Sequence, residues 1–379
     1  MKVLVTGGAG FIGTRTSAAL VAEGHVVRVL DCLDPQIHGS NADFPLALSS
    51  IAECVRGDVC NLADCVAALE GVEAVIHLAA RTGVGQSMYD LADYVETNVR
   101  GTATLVEAII KSRASLRRVV LASSRAVYGE GMYVCRTHGY QHPATRDREA
   151  MESGRFEMYC CECSEAMAAS PTPESCDRKP LSVYAWTKVH QEDYCRWAQQ
   201  TLGLPLVVLR YFNVYGAGQS LRNPYTGVVS IFYSLLRAGR SLSMYEGGRP
   251  LRDFVHVDDV VRANLLALSA EDVIGGTFNI GSGQADTIST IATSLADALG
   301  VSARLEDRGE FRVGDIYACF ADLSESRSRL GYSPLIDIAT GMREFSAWAQ
   351  SQESVDLYDT TVAELDRHGL FGRARKSAT

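Results

Sequence analysis

Mainly apolar runs alternate with longer amphipathic segments along most of the chain. The runs lie at residues 3–5, 26–30, 74–78, 118–122, 206–210 and 277–280. Such runs are typical of strands that are buried on both faces of a parallel sheet. Between them, as at residues 91–111, apolar positions recur at helical spacing. The pattern predicts an α/β fold built on a doubly wound parallel sheet.

A glycine-rich turn follows the first predicted strand and reads T-G-G-A-G-F-I-G. Gly7 permits a tight turn, Gly10 lets a ligand approach the backbone, and Gly13 lets the following helix pack against the strand. The N–H groups at the start of that helix suit a phosphate. The second strand ends at Asp31, whose carboxylate can accept hydrogen bonds from both ribose hydroxyls and would repel a 2′-phosphate. The turn and Asp31 together predict NAD rather than NADP.

Composition narrows the class of protein. The chain has 379 residues, of which 47% are hydrophobic and 21% are charged, enough for one large domain and a smaller lobe. A net charge of −9 argues against nucleic acid or an anionic membrane as the main partner. No apolar stretch approaches the roughly 20 residues that span a bilayer. We therefore expect a cytoplasmic protein whose eleven cysteines are reduced.

Three polar residues carry the candidate chemistry. Ser124 stands at the end of a predicted strand, the edge at which parallel sheets bind ligands. Tyr184 and Lys188 are four residues apart and so share one face of a helix. A tyrosine pKa is normally about 10, but the lysine ammonium and the positive charge of NAD would stabilise the phenolate, which could then act as a base. A chance amphipathic helix is the alternative interpretation, although the glycine turn, Asp31 and Ser124 precede it in the expected order.

Over residues 1–345 these motifs resemble the nucleotide-sugar epimerase family of extended short-chain dehydrogenase/reductases, the relatives of UDP-galactose 4-epimerase. The resemblance implies a Rossmann-like fold with a smaller C-terminal substrate lobe. It also implies a catalytic triad of Ser124, Tyr184 and Lys188, and a homodimer formed through helices near residues 91–111 and 183–202. Arg252, in R-D-F-V-H-V-D-D, and Arg312, in R-x-G-D, would bind the diphosphate of the substrate.

The resulting site prediction has two parts. The cofactor-binding residues are Gly7, Gly10, Phe11, Ile12, Gly13, Asp31, Asp58, Val59, Leu78, Ala79, Ala80, Asn98, Ser123, Tyr184, Lys188, Tyr211 and Phe212. The substrate-binding residues are Ser124, Arg125, Asn213, Val228, Tyr245, Arg252, Arg312 and Asp315. His77 is interpreted as a packed residue rather than a catalyst.

One position separates the reactions of the family. Dehydratases resemble T-D-E-V-Y-G where this chain reads S-S-R-A-V-Y-G, and Arg125 and Ala126 cannot replace that acid and base. The resemblance therefore favours an NAD-dependent nucleotide-sugar 4-epimerase, with tightly bound NAD, a UDP- or dTDP-hexose and a transient 4-keto sugar. A net 4-dehydrogenase or 4-ketoreductase and a non-catalytic dinucleotide sensor are the alternatives.

An insertion at residues 131–180 separates Ser124 from Tyr184. It contains Cys135-x-x-His138 and Cys160-x-x-Cys163, a spacing that suits a structural zinc ion in a zinc-ribbon-like segment. A similar insertion occurs in proteins related to dTDP-L-rhamnose 4-epimerases, in which the second pair usually reads C-P-x-C-G. Here Cys161 and Ser164 replace the proline and glycine. Unmetallated thiols are the alternative, and Cys161 and Cys176 are possible substitute ligands.

The predicted domains follow from these features. Residues 1–203 form the NAD-binding domain, which includes the insertion. Residues 204–349 combine the last sheet strands with a nucleotide-sugar-binding lobe. Residues 350–379 form a polar tail, ending in Arg373, Ala374, Arg375 and Lys376 before the last three residues, which we expect to be solvated and mobile.

Overall fold

The computed structural model describes residues 1–40, 42–223, 225 and 227–375. In the N-terminal part, strands and helices alternate as the apolar pattern predicts. The strands are β1 (Lys2–Thr6), β2 (Val26–Asp31), β3 (Glu53–Arg56), β4 (Ala74–His77) and β5 (Arg118–Ser124). The helices are α1 (Phe11–Ala22), α2 (Pro35–His38), α3 (Leu46–Ser49), α4 (Leu62–Ala68), α5 (Leu91–Tyr94) and α6 (Gly101–Ser112). A π-helical turn, Val95–Arg100, joins α5 to α6.

The insertion folds as a small antiparallel sheet. Its elements are β6 (Met132–Cys135), β7 (Gly139–Gln141), α7 (Arg148–Glu152) and β8 (Ala168–Ser170). The strand order is β7-β6-β8, with both pairings antiparallel.

The chain then returns to the main sheet and builds the smaller lobe. The helices are α8 (Val183–Leu202), α9 (Val228–Arg237), α10 (Val257–Ser269), α11 (Ile288–Leu299), α12 (Ser324–Ser328), α13 (Ile338–Ala349) and α14 (Tyr358–Arg367). The strands are β9 (Leu206–Tyr211), β10 (Asn213–Tyr215), β11 (Leu242–Ser243), β12 (Leu251–Arg252), β13 (Phe254–His256), β14 (Thr277–Ile280), β15 (Asp286–Thr287), β16 (Leu305–Glu306), β17 (Glu310–Arg312), β18 (Ala318–Cys319) and β19 (Phe371–Arg373).

The main sheet has seven parallel strands in the order β14-β9-β5-β4-β1-β2-β3. Six of its strands are largely buried, which explains why they read as apolar runs, whereas the edge strand β3 is partly exposed. Helices α1 and α10 pack on one face, and α4, α6 and α8 on the other. The order reverses between β1 and β4, so the carboxyl ends of these strands border the crevice in which doubly wound sheets bind ligands.

The smaller lobe has its own apolar core between α9, α11 and α13. Phe232, Leu295 and Phe345 are among its buried residues. The lobe therefore offers a rigid wall opposite the carboxyl edge of the main sheet.

The C-terminal segment differs from the prediction. Residues 358–367 form α14, and β19 pairs antiparallel with β17. The expectation of a solvated, mobile tail is therefore wrong as far as Arg375, while Lys376 lies outside the described residues. Among the described residues, no helix combines the length and the apolar character that a bilayer span requires.

Candidate active site

The glycine turn joins β1 to α1 at the carboxyl edge of the sheet. Gly7 has a φ of +67°, and a Cβ added there would lie 2.7 Å from the backbone nitrogen of Ala79. A Cβ at Gly13 would lie 2.3 Å from the carbonyl oxygen of Gly7. Only glycine therefore permits this turn and the close packing of α1. Gly10 lines the adjoining cavity, so a ligand can approach its backbone.

Asp31 is held in place at the end of β2. Its Oδ2 accepts a hydrogen bond from the Ala9 N–H at 3.0 Å, and its Oδ1 accepts one from the Leu33 N–H at 2.9 Å. A carboxylate oxygen can accept more than one hydrogen bond. Since Asp31 also lines the cavity, its carboxylate can accept a further hydrogen bond from a ligand hydroxyl.

One cavity of about 740 Å³ connects the glycine turn with the smaller lobe. Every residue predicted to bind the cofactor or the substrate lines it except Asn98. Asn98 is fully buried, accepts a hydrogen bond from the Arg81 N–H at 2.8 Å and donates to Thr187 Oγ1 at 2.9 Å. The amide of Asn98 therefore holds the loop after β4, and its contact with the cofactor stays a prediction.

The predicted catalytic residues meet in the middle of this cavity. Ser124 ends β5, while Tyr184 and Lys188 occupy the first turns of α8. The Lys188 Nζ lies 6.0 Å from the centre of the Tyr184 ring and donates a hydrogen bond to the Ala122 carbonyl at 2.9 Å. The two side chains therefore share one helical face, as their spacing predicts.

Burial is the largest influence on the pKa values of Tyr184 and Lys188. It raises the pKa of the Tyr184 phenol, while the Ser124 hydroxyl and the Arg125 guanidinium act in the opposite direction. Burial also lowers the pKa of Lys188 to about 8, against the charge of Glu192. The predicted lowering of the phenol pKa by Lys188 together with the positive charge of NAD stays a prediction for the protein with bound cofactor.

A buried ion pair fixes α8 to the sheet behind the catalytic residues. Glu192 accepts two hydrogen bonds from Arg210, at 2.8 and 2.9 Å, and one from the Ser123 hydroxyl at 2.6 Å.

His77 is also buried, with its ring nitrogens 2.7 Å from Thr6 Oγ1 and 2.9 Å from Thr102 Oγ1. Burial lowers the pKa of His77 to about 3, which agrees with its interpretation as a packed residue.

The smaller lobe brings positive charge to the other end of the cavity. Arg252 pairs with Asp315 at 2.9 Å. Arg312 lies 5.1 Å from the Tyr245 ring centre, and Arg312 and Arg125 form no ion pair within the described parts of the chain. Burial would raise the pKa of Asp315, but the surrounding guanidiniums lower it to about 2. Three guanidiniums at this end of the cavity, two from the smaller lobe and that of Arg125 after β5, therefore exceed the charge of this carboxylate, which suits an anionic ligand.

Other predicted substrate residues surround the same space. Asn213, in β10, has a buried Oδ1 that lacks a hydrogen-bond partner among the described residues. Val228 begins α9 and lines the cavity.

The sequence analysis missed the cavity wall formed by residues 355–365, of which seven line the cavity.

Residues 3–281 match the model of the NAD dependent epimerase/dehydratase family. A dTDP-L-rhamnose 4-epimerase of Burkholderia thailandensis is 39% identical over 352 residues, which cover 92% of this chain and 94% of that protein. The chain belongs to this family.

Solved structures of nucleotide-sugar epimerases have the same fold as this chain. The UDP-glucuronic acid 4-epimerase of Bacillus cereus, solved with UDP-glucuronic acid and NAD, has a TM-score of 0.73 and 27% identity. The UDP-glucose 4-epimerase of Thermotoga maritima, solved with UDP-glucose, also has a TM-score of 0.73 and 27% identity. Each alignment covers 92% of this chain and 99% of the other. These comparisons confirm the predicted family, the Rossmann-like fold and the class of NAD-dependent nucleotide-sugar epimerases.

The insertion of this family member brings together its four predicted metal ligands. The Cys135 Sγ lies 3.6 Å from the Cys163 Sγ and 3.7 Å from the His138 Nδ1, which is 3.4 Å from the Cys160 Sγ. All four ligand atoms lie within 4.8 Å of one another. The substitute ligands lie elsewhere, because Cys161 is exposed and Cys176 packs in the main core.

The insertion also contacts the substrate lobe through Arg146. This buried side chain donates to Glu246 Oε1 at 3.0 Å, to the Asp315 carbonyl at 2.8 Å and to the Phe156 carbonyl at 3.1 Å. Glu246 directly follows Tyr245 and has a φ of +55°. Arg146 therefore supports two loops that carry predicted substrate residues, a role that a lone arginine in a loop does not reveal in the sequence.

Proposed function

We propose that this chain is an NAD-dependent nucleotide-sugar 4-epimerase acting on a UDP- or dTDP-hexose. The observation that carries the proposal is the placement of Ser124, Tyr184 and Lys188 in one cavity, between the glycine turn and the arginines of the smaller lobe. The names of the relatives support the same reaction.

The glycine turn suits the diphosphate of an adenosine diphosphate, and Asp31 suits its ribose. The N–H groups at the start of α1 would bind the diphosphate, and the Asp31 carboxylate would bind the ribose hydroxyls. NAD, when bound there, would accept a hydride from carbon 4 of the sugar and return it to the opposite face. Lys188 would help to hold the cofactor ribose.

Tyr184 is assigned the proton transfer. Its phenolate would take the proton of the hydroxyl at carbon 4 and return it after the sugar has turned over, while Ser124 would hydrogen-bond the same oxygen. Because burial raises the pKa of the phenol, ionisation requires nearby positive charge. Arg125 and Ala126 provide no acid–base pair for elimination of water.

The test is to purify the protein without added cofactor, to identify its ligand by mass analysis after denaturation, and to supply UDP- and dTDP-hexoses. We expect bound NAD and interconversion of epimers at carbon 4 without added cofactor. Tyr184→Phe should keep the NAD but lose turnover, because the ring remains and the hydroxyl is lost. An empty protein that needs stoichiometric NADPH would support the ketoreductase alternative, and bound NAD without any turnover would support a sensor.

A structural zinc ion in the insertion is the second part of the proposal. Tetrahedral zinc with ligand distances of about 2.3 Å to sulfur and 2.0 Å to nitrogen requires ligand atoms about 3.5–3.8 Å apart. Three of the six separations are 3.4–3.7 Å, close to this requirement, and all six are below 4.8 Å. Although burial opposes it, backbone N–H groups of Cys163 and Glu162 help to lower the pKa of Cys160 to about 6, which favours the thiolate.

Elemental analysis tests the zinc assignment. We expect about one zinc ion per chain, lost in both Cys160→Ser and Cys163→Ser. Cys161→Ser, in which only an exposed neighbouring thiol changes, is the matched control and should retain the metal. Protein that is free of metal and whose insertion still resists proteolysis would contradict the assignment.

A homodimer is proposed from the exposed faces of the predicted interface helices. Trp186, Tyr194 and Trp197 are exposed on α8, and Leu91 and Val95 are exposed nearby in the chain segment that leads to α6. Large aromatic faces of this kind are typical of interfaces.

All eleven cysteines are free in the structure, which is compatible with the expected cytoplasmic location. That location and the domain limits stay predictions.

A further inference from the structure

The C-terminal segment, residues 355–375, lies against the cavity although it follows the part of the chain that matches the family model. Its cavity-lining residues are Val355, Asp356, Leu357, Tyr358, Thr361, Val362 and Leu365. The segment therefore forms a wall of the site rather than a separate surface feature.

Tyr358 belongs to an aromatic cluster at the arginine-rich end of this cavity. Its hydroxyl donates to the Tyr245 hydroxyl at 3.3 Å. Phe371, also in the C-terminal segment, packs on the Tyr245 ring with centres 5.8 Å apart. The Arg312 guanidinium lies 5.1 Å from the Tyr245 ring centre. The cluster thus combines aromatic rings, hydroxyl groups and a guanidinium that forms no ion pair within the described residues.

The wall is fixed at several points. Arg240 pairs with Asp356 at 2.6 Å and with Asp359 at 2.7 Å. At the other end of α14, the His368 ring stacks on Tyr89 with centres 4.4 Å apart. Pairing of β19 with β17 then places the segment beside Arg312 itself. These anchors position Tyr358 before any ligand binds.

We propose that the C-terminal segment completes the nucleotide-sugar site and that Tyr358 is a binding residue for its nucleoside diphosphate part. Aromatic rings can pack against a pyrimidine, tyrosine hydroxyls can donate to its oxygens or to phosphate, and the Arg312 guanidinium can bind phosphate. The inference rests on the proposed function, since it takes the ligand class from it.

Calorimetric titration of the purified, NAD-containing protein with UDP and with dTDP tests the inference. Loss of one hydrogen bond in Tyr358→Phe should weaken binding of the preferred nucleotide about 2- to 10-fold. Tyr358→Ala, which also removes the ring, should weaken binding by more than about 10-fold. Tyr140→Ala, a change at a tyrosine that is 74% exposed, is the control and should bind as the wild type does.

The outcomes separate the two proposals. Wild-type protein that binds neither UDP nor dTDP would contradict the proposed function, and this inference with it. If the wild type binds a nucleotide and Tyr358→Ala binds it as tightly as Tyr140→Ala does, only the role of Tyr358 is wrong. Loss of bound NAD in Tyr358→Phe would show a structural role and would overturn the direct contact.

Discussion

Replacing Arg146 by methionine should separate the contribution of the insertion from that of the catalytic residues. The guanidinium is buried and bridges Glu246, the Asp315 carbonyl and the Phe156 carbonyl. Its Nε also lies 3.4 Å from Glu130, which is buried as well. Methionine would preserve much of the side-chain volume, but it would leave the Glu246 carboxylate without its guanidinium partner.

Breaking a buried ion pair by removing one partner costs about 3–5 kcal/mol, because the remaining charge is desolvated. Arg148→Met is a control two residues away, where the exposed arginine pairs with Glu152 at 2.9 Å. Such surface pairs contribute about 1 kcal/mol or less. The double variant Arg146→Met/Glu246→Gln removes both charges of this pair and should regain part of the loss, while Glu130 remains without its guanidinium partner.

Urea denaturation of the NAD-containing protein, followed by fluorescence, measures these differences. Burial already raises the pKa of Glu246, and loss of Arg146 should raise it further. A carboxyl whose pKa is higher in the folded state binds more protons when folded, so its destabilisation grows as the pH rises above the ordinary value of 4.5. The defect of Arg146→Met should therefore be smaller near pH 5 than near pH 8. A loss no larger than that of Arg148→Met, or no recovery in the double variant, would refute the reasoning.

Three further predictions concern other parts of the molecule. Burial lowers the pKa of Lys188 to about 8, so NAD should dissociate from the protein faster at about pH 9.5 than at pH 7. Lys188→Arg should remove this difference, because arginine stays charged. Equal dissociation rates of the wild type at the two pH values would count against the role of the ammonium. Ser164 has a φ of +59°, a conformation that costs a non-glycine residue about 1–2 kcal/mol. Ser164→Gly should therefore slow the removal of zinc by a chelator, whereas Ser164→Ala should not. Trp197→Asp should yield a monomer in light scattering, whereas Leu335→Asp, at a side chain that is 75% exposed outside the proposed interface, should leave the dimer intact.

The sequence predicted those features that short-range patterns determine. Parallel strands buried on both faces produce apolar runs, so the sheet could be predicted from the sequence. The glycine turn and Asp31 occur in one βαβ unit, so the cofactor site could be predicted as well. Asn98 lies in the π-helical turn Val95–Arg100, whose side-chain register differs from the regular helical spacing that the sequence analysis assumed.

Long-range contacts account for what the sequence did not reveal. The C-terminal segment is polar, and its order depends on partners far away in the chain, such as the hydrogen bond from Tyr89 to Glu364 at 3.2 Å. Arg146 has no local motif, and its role arises only when Glu246 and Asp315 approach it. Neither feature has a periodicity or a spacing that could have indicated it.

The central claim is that the sugar is oxidised and reduced at carbon 4 while the cofactor stays bound. The most direct measurement is to supply the nucleotide sugar that the protein accepts with deuterium at carbon 4, and to analyse both epimers by mass spectrometry and NMR. We predict that the product keeps the deuterium at carbon 4, with no exchange into water and no added NAD or NADPH. Replacement of the label by solvent hydrogen, or turnover that consumes added cofactor stoichiometrically, would contradict the account.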